Sequence, residues 1–306
     1  MQIKIFEIEK EDDGLRLDRW FHRHIPNMPF TIVAKLARKG QIRIDGKRVK
    51  INTRISHNQK IRTPIIEYDA PIKQEYIKPK NFNDIKNQIF SSIIHEDEHI
   101  IVLNKPYDLC VQDGSNVKIS IDRVFKLSNL NYNIVHRIDK ETTGLIVFAK
   151  NSSIAADISK LFREKEIYKS YLTILCGIPK NKEGIIESTI KTGDFDAPKE
   201  LHAKTKFKVL GEYEDLLSLV EMTPLTGRKH QIRIHSKEIN CPILGDQKHN
   251  YPGVKHKIYF ADHLHLHSHS LNFSLLGENH NFKAELPDHF QKTINKYFST
   301  VNISNS

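Results

Sequence analysis

Residues 136 to 150 read His-Arg-Ile-Asp-Lys-Glu-Thr-Thr-Gly-Leu-Ile-Val-Phe-Ala-Lys, and this stretch constrains the fold more than any other. Leu145 to Ala149 is an unbroken apolar run and predicts a buried strand. Thr142-Thr143-Gly144 supplies the turn that leads into it. Ahead of the turn, Asp139 stands between Arg137 and Lys140. Loops at the mouths of strands commonly carry chemistry, because a rigid scaffold positions them. Local chemistry alone fits a catalytic carboxylate and a solvated surface ion pair equally well.

Composition narrows the class. A chain of 306 residues can bury a sizeable core, and its length suggests about two domains. No apolar run approaches the roughly 18 residues of a membrane span. The first residues alternate Ile3, Ile5 and Ile8 with charges, unlike a secretion signal. Cys110, Cys176 and Cys241 are isolated and odd in number, which argues against a disulfide framework and for the reducing cytoplasm. The net charge of +10 favours a polyanionic partner, nucleic acid or membrane surface, without choosing between them.

The charge is concentrated in residues 14–64. Leu15, Leu17, Trp20 and Phe21 recur at helical spacing, as do Ile32, Val33, Leu36 and Ala37, with Pro26 and Pro29 breaking the chain between them. Thr31 is the expected N-cap of the second helix and Gly40 its stop. Gln41 to Ile44, then Asp45-Gly46, then Lys47 to Val49 predict a hairpin. From Thr31 to Lys50, seven basic residues (Lys35, Arg38, Lys39, Arg43, Lys47, Arg48, Lys50) face the single acid Asp45. Two helices and a basic hairpin make a platform for phosphates, or else a merely solvated basic face.

Residues 65–90 carry Pro71 and Pro79 and lack sustained periodicity, so they are expected to be a linker. Beyond them, Ile93-Ile94 and Ile100 to Leu103 predict strands, the second ended by Asn104-Lys105-Pro106. Asn151 or Ser152 caps a helix with Ile154, Ile158, Leu161 and Phe162 on its apolar face. Tyr168 to Leu175 reads as a strand that puts Lys169 and Tyr171 on one face, where a ring can stack on a base and a cation can meet a phosphate. The same tyrosine would serve equally as core filling. Leu216 to Val220 reads as another strand, and the chain from Lys229 as helical. His263, His265, His267 and His269 would share a strand face, a pattern that can bind metal, although no metal is expected here. The end, residues 293–306, is expected to be a polar tail.

The stretch around Asp139 resembles the motif of the RluA-type pseudouridine synthases, usually written His-Arg-Leu-Asp-x-x-Thr-Ser-Gly-Leu. Lys169-Ser170-Tyr171 is similar to that family's Lys-x-Tyr, and Thr226-Gly227-Arg228-Lys229-His230-Gln231-Ile232-Arg233 to its Thr-Gly-Arg-x-His-Gln-Ile-Arg. Arg16-Leu17-Asp18 and Arg38 to Gly46 resemble the S4 RNA-binding domain. The resemblance implies an α+β chain: an S4 (α-L) domain at 14–64, then a catalytic domain at 91–292 with a mixed, mainly antiparallel sheet and a central cleft. It implies isomerisation of uridine to pseudouridine in 23S (large-subunit) ribosomal RNA or an assembly intermediate, by a cytoplasmic monomer without cofactor. It makes Asp139 the reacting carboxylate, Arg233 its partner that holds its pKa down, and Tyr171 the stacking ring. Arg137 would replace the flipped base. Gln112 and Asp113 depart from the family's usual residues and receive no role. Which uridines are modified stays open. A kinase is excluded because Ile138 interrupts His-Arg-Asp and no Gly-x-Gly-x-x-Gly occurs. A non-catalytic RNA-binding protein is the rival that the S4-like segment alone would support.

Overall fold

The computed structural model describes residues 3–25, 28–65, 79–114, 117–192, 199–249 and 261–299; Pro26 and Pro71 lie outside them. The chain divides into two compact units, Met1–Ile77 and Lys78–Ser306.

The first unit holds β1 (Ile3–Glu7), α1 (Leu17–His24), α2 (Phe30–Arg38), β2 (Arg43–Ile44), β3 (Lys47–Arg48) and β4 (Lys60–Pro64). Its sheet is antiparallel in the order β1-β4-β2-β3. Leu17, Trp20 and Phe21 from α1 and Val33, Leu36 and Ala37 from α2 share one core with Ile42, Ile44, Ile55 and Ile61. The cap of α2 is Pro29, not Thr31, because the pyrrolidine ring presets the backbone for a helix start. Gly40 does end it. At φ +69° it lets Gln41 N–H reach Leu36 O and its own N–H reach Ala37 O, both at 2.9 Å, which satisfies the last carbonyls. Asp45 and Gly46, at φ 47° and 76°, make the two-residue turn of the β2–β3 hairpin.

Of the seven cations, all but Arg43 are exposed. Arg43 bonds the carbonyls of Gly40 (3.2 Å) and Gly46 (2.9 Å), and Arg48 bonds that of Lys39 (3.3 Å). These two arginines brace the helix end against the hairpin. Lys47, Arg48, Lys50 and Arg54 line a hollow of about 380 Å³.

The second unit contains α3 (Phe82–Ser91), β5 (Ile93–Glu96), β6 (Ile100–Lys105), α4 (Ile121–Leu127), β7 (Asn133–Ile134), β8 (Thr143–Ala149), α5 (Ser152–Glu164), β9 (Tyr168–Cys176), β10 (Glu183–Thr192), β11 (Lys199–Tyr213), β12 (Leu217–Pro224), α6 (Gln231–Glu238), β13 (Leu266–Leu275), β14 (Glu278–Lys283) and α7 (Asp288–Tyr297). The main sheet runs β10-β11-β12-β9-β13-β8-β6-β5, with β14 beside β13 and β7 beside β8. Among the described residues, only the β13–β8 strand pair is parallel, so the sheet is mixed and mainly antiparallel in an α+β unit.

Two boundaries differ from the sequence reading. The last third of the expected linker belongs to α3, whose Phe82 and Ile89 are buried among Leu103, Val124 and Phe125. Its apolar face is too short and too interrupted by Asn and Lys to stand out in the sequence. The start of the expected polar tail belongs to α7, because Phe290, Ile294 and Phe298 lie four residues apart and pack against Leu172 and Ile174.

Candidate active site

β8 is buried at every residue, as its apolar run dictates. It lies beside β13, and β13 beside β9, at the middle of the sheet. The backbones of β8 and β13 come close at Gly144. At φ +100°, a Cβ there would lie 2.2 Å from Ser268 O, so only glycine fits this position. The loop ahead of it is fastened at several points. His136 Nε2 accepts from Val147 N–H (2.9 Å) and its ring packs on Phe162 at 4.8 Å. Burial, helped by Lys169, pushes His136 down to about 3, which keeps it a neutral acceptor. From the end of β6, the wholly buried Lys105 donates to the carbonyls of Pro106, Leu109 and Lys140 at 2.9–3.0 Å. Burial pushes its ammonium down to about 7.

The cations that flank Asp139 in sequence do not hold it in space. Lys140 Nζ pairs with Asp108 at 2.7 Å, and Arg137 is exposed with no ion pair among the described residues. The groups facing Asp139 come from α6 and its N-cap instead. Arg233 Nη1 lies 3.8 Å from Asp139 Oδ2, and His230 Nε2 lies 3.8 Å from Oδ1. Arg233 is 2% exposed and its short hydrogen bonds go elsewhere. Nε and Nη2 hold Asp246 at 2.8 and 2.6 Å, and Nη1 holds Glu141 at 2.8 Å.

Burial raises the pKa of Asp139, and the pull of Arg233 and Lys229 toward the charged form does not cancel the rise. The expectation that Arg233 holds Asp139 down is therefore corrected. Asp246 shows the reverse balance, because its direct Arg233 bonds outweigh burial and hold it below the usual carboxylate range.

Tyr171 sits on β9 between Met222 and Ser268. Burial pushes its hydroxyl up to about 12, and the nearby Ser268 side chain opposes that rise. The ring is half-buried against the cluster of Leu175, Met222 and Ile232, and Asp139 is near enough to disfavour ionisation of its hydroxyl. Lys169 is half-buried, its Nζ 5.5 Å from the Phe162 ring centre, and burial lowers its pKa. The structure thus brings together Asp139, Tyr171 and Arg233, and it sets Lys169 against α5.

Sequence reasoning missed Glu141, Asp246, His230 and Lys105. Asp246 and Lys105 had a signal: each is a charge at the end of an apolar run, where a buried partner is required. Asp113, without a role in the sequence reading, accepts from Ser120 and Arg123 at 2.7–2.9 Å and ties down its loop.

The histidine row is committed to the fold. β13 starts at Leu266, so His263 and His265 precede the strand. His265 bonds His263 O and Thr293 Oγ1, and His267 bonds Thr143 Oγ1 and Ala284 O. Elsewhere, His95, Asp97 and His280 bring potential metal-ligand atoms within 4.8 Å of one another. The atoms of His95 and Asp97 that a cation would share are already bonded to each other at 2.8 Å.

A carboxylate, an arginine and a tyrosine meet at the centre of a mixed sheet, and the comparisons place the chain among the RNA pseudouridine synthases. Residues 99–238 match the family model described as RNA pseudouridylate synthase. Ribosomal large subunit pseudouridine synthase C of Rickettsia typhi is 30% identical over 91% of this chain and 96% of its own. The protein of that name from Buchnera aphidicola is 30% identical over 94% and 95%. Human RNA pseudouridylate synthase domain containing 4 superposes with a TM-score of 0.60 at 27% identity, covering 71% of this chain and 96% of the human one. The chain belongs to the RluA family of RNA pseudouridine synthases, and its reaction is the isomerisation of uridine in RNA.

Proposed function

We propose that this chain makes pseudouridine in large-subunit ribosomal RNA, with Asp139 as the reacting carboxylate. The observation that carries the reading is the half-buried Asp139 carboxylate set 3.8 Å from Arg233. Desolvation makes such a carboxylate a stronger nucleophile or base than a solvated one. Arg233 steadies its charge without masking it by a hydrogen bond.

The substrate class is supported by the names of the Rickettsia and Buchnera relatives. The target uridine leaves its stack at a cost of a few kcal/mol, least in loops and bulges. Tyr171 stacks on the base, and the exposed Arg137, two residues before Asp139, fills the space it leaves. Lys169 assists from the same strand. Residues 14–64 act as an S4-type RNA-binding domain, with Arg38, Lys39 and Lys47 contacting phosphates and Arg43 and Arg48 shaping the platform. Detachment of the base, its rotation and its reattachment through C5 need no redox cofactor. The protein works in the cytoplasm as a monomer, and a target elsewhere on the same RNA is the alternative within this reading.

The test is Asp139→Asn, assayed by tritium release from RNA labelled at uridine C5. The variant should fold and bind large-subunit transcripts, yet release no tritium. Turnover by the folded variant would refute the role of Asp139. Wild-type release from transfer RNA but not from large-subunit transcripts would refute the substrate class.

A further inference from the structure

Beside Asp139 stands a pair of imidazoles that this reading leaves unused. His230 caps the N-terminus of α6 at φ +56°, in the left-handed region that costs a non-glycine residue about 1–2 kcal/mol. There its Nε2 faces Asp139 Oδ1 at 3.8 Å, while its Nδ1 lies 2.9 Å from His249 Nε2. The two rings meet edge to face at 5.1 Å and 82°. His249 is anchored in turn, since its backbone N–H donates to Asp246 Oδ1 at 2.9 Å. One carboxylate, Asp246, therefore fixes both the arginine that faces Asp139 and the outer histidine of the pair.

Isomerisation requires a base at a definite step. Once C5 has bonded to C1′ of the ribose, C5 carries both the sugar and its original hydrogen. The C5–H bond must then break. Its electron pair restores the C5–C6 double bond, the C6–N1 double-bond pair moves to N1, and N1 takes a proton. One proton leaves carbon and one arrives at nitrogen, so no oxidant or co-reactant is needed.

Most groups around Asp139 are poor acceptors for that proton. A guanidinium accepts nothing, and Arg233 is engaged by Asp246 and Glu141. Lys105 spends its Nζ on three carbonyls. Glu141 is occupied by Arg233, and burial pushes the Tyr171 hydroxyl up to about 12, which keeps it protonated. His230 differs. When its Nδ1–H donates to His249 Nε2, its own Nε2 carries a lone pair directed at the Asp139 side. Burial, together with Arg233, Lys248, His249 and Lys229, pushes it down to about 4, so it is neutral near pH 7.

We propose that His230 removes the C5 proton and that His249 carries it away. The proton enters at His230 Nε2, and the one on Nδ1 passes along the 2.9 Å bond to His249, so positive charge does not accumulate beside Arg233. The proposal rests on the reading of Asp139 as the reacting carboxylate.

The experiment uses the full chain in single turnover on three RNAs, carrying uridine, C5-deuterated uridine or 5-fluorouridine, the last having no C5 hydrogen to lose. The variants are His230→Asn, which tolerates the left-handed backbone, and His249→Phe. His230→Asn should slow isomerisation of uridine roughly 100-fold, the lower range of general-base catalysis, and should develop an isotope effect absent from wild type. Its consumption of 5-fluorouridine should match wild type. His249→Phe should show a smaller loss with the same isotope effect, and it decides the matter should His230→Asn fail to fold. Equal slowing on all three RNAs without an isotope effect would overturn the proposal and leave His230 as a positioning residue for Asp139. A slowed His230→Asn beside an unaffected His249→Phe would overturn the relay. Failure of wild type to release C5 tritium would count against the functional reading, not against the pair.

Discussion

Arg233→Met tests how the site is held together. Met is shorter but unbranched and apolar, so most of the volume is kept while three hydrogen bonds to carboxylates are lost. Asp246, with a side chain 0% exposed, would be left as an uncompensated buried charge. Removing one partner of such a pair costs roughly 3–5 kcal/mol. For a unit the size of Lys78–Ser306, that loss corresponds to a fall of roughly 6–20 °C in unfolding midpoint. The double variant Arg233→Met, Asp246→Leu removes both charges and should recover most of the loss, because an apolar pair needs no compensation. The sign of the pH dependence follows from Asp246, whose folded pKa is depressed. Its contribution is present above the unfolded value of about 4 and is lost as pH falls through the folded value. The gap between wild type and Arg233→Met should therefore be full at pH 7 and close in acid. Thermal and urea unfolding across that range measure it. A loss under about 1 kcal/mol, or a double variant worse than the single, would refute the account of Arg233 as the compensating charge.

Tyr171→Ala should lose roughly 1–3 kcal/mol of RNA contact, the usual worth of one stacked base, whereas Tyr171→Phe should keep it. Equal binding and turnover by wild type and Tyr171→Ala would reduce the residue to packing. Changing Arg38, Lys39 and Lys47 to Gln, with Arg43 and Arg48 left to brace the backbone, should flatten the salt dependence of RNA binding by roughly 0.7 per lost contact. Single-turnover chemistry at saturating RNA should be unchanged, and an unchanged salt slope would show a solvated face only.

The parts of the fold that the sequence announced are those with local causes. Asp45-Gly46, Gly40 and Asn151 each set a turn or cap through their own backbone preferences, and Asn151 Oδ1 does accept the Ile154 N–H at 2.9 Å. Leu145 to Ala149 could only be buried. What was not legible depends on contacts between distant residues. Nothing near Lys140 in sequence shows that it turns to Asp108, and nothing near Arg233 shows that Asp246 and Glu141 reach it before Asp139 does. The pKa expectation for Asp139 failed because burial, which the motif does not show, outweighs the pull of Arg233. A sequence motif places an arginine near an aspartate, but it does not say how many other carboxylates share that arginine.

That sharing explains why Asp139 is available to react. Three acids, Asp246, Glu141 and Asp139, surround one guanidinium. Asp246 takes the two-pronged face, the strongest geometry an arginine offers. Glu141 takes a further donor on Nη1. Asp139 receives only the field of the group at 3.8 Å and stays largely desolvated. A carboxylate bonded in two prongs to arginine would have its lone pairs engaged and its basicity lowered. One left to water would lose the advantage of desolvation. Asp139 has neither handicap, because Asp246 and Glu141 occupy the donors that would otherwise quench it. Removing Asp246 alone would thus do more than destabilise the fold: it would free Arg233 to bond Asp139 directly and lower the reactivity that the buried pair protects.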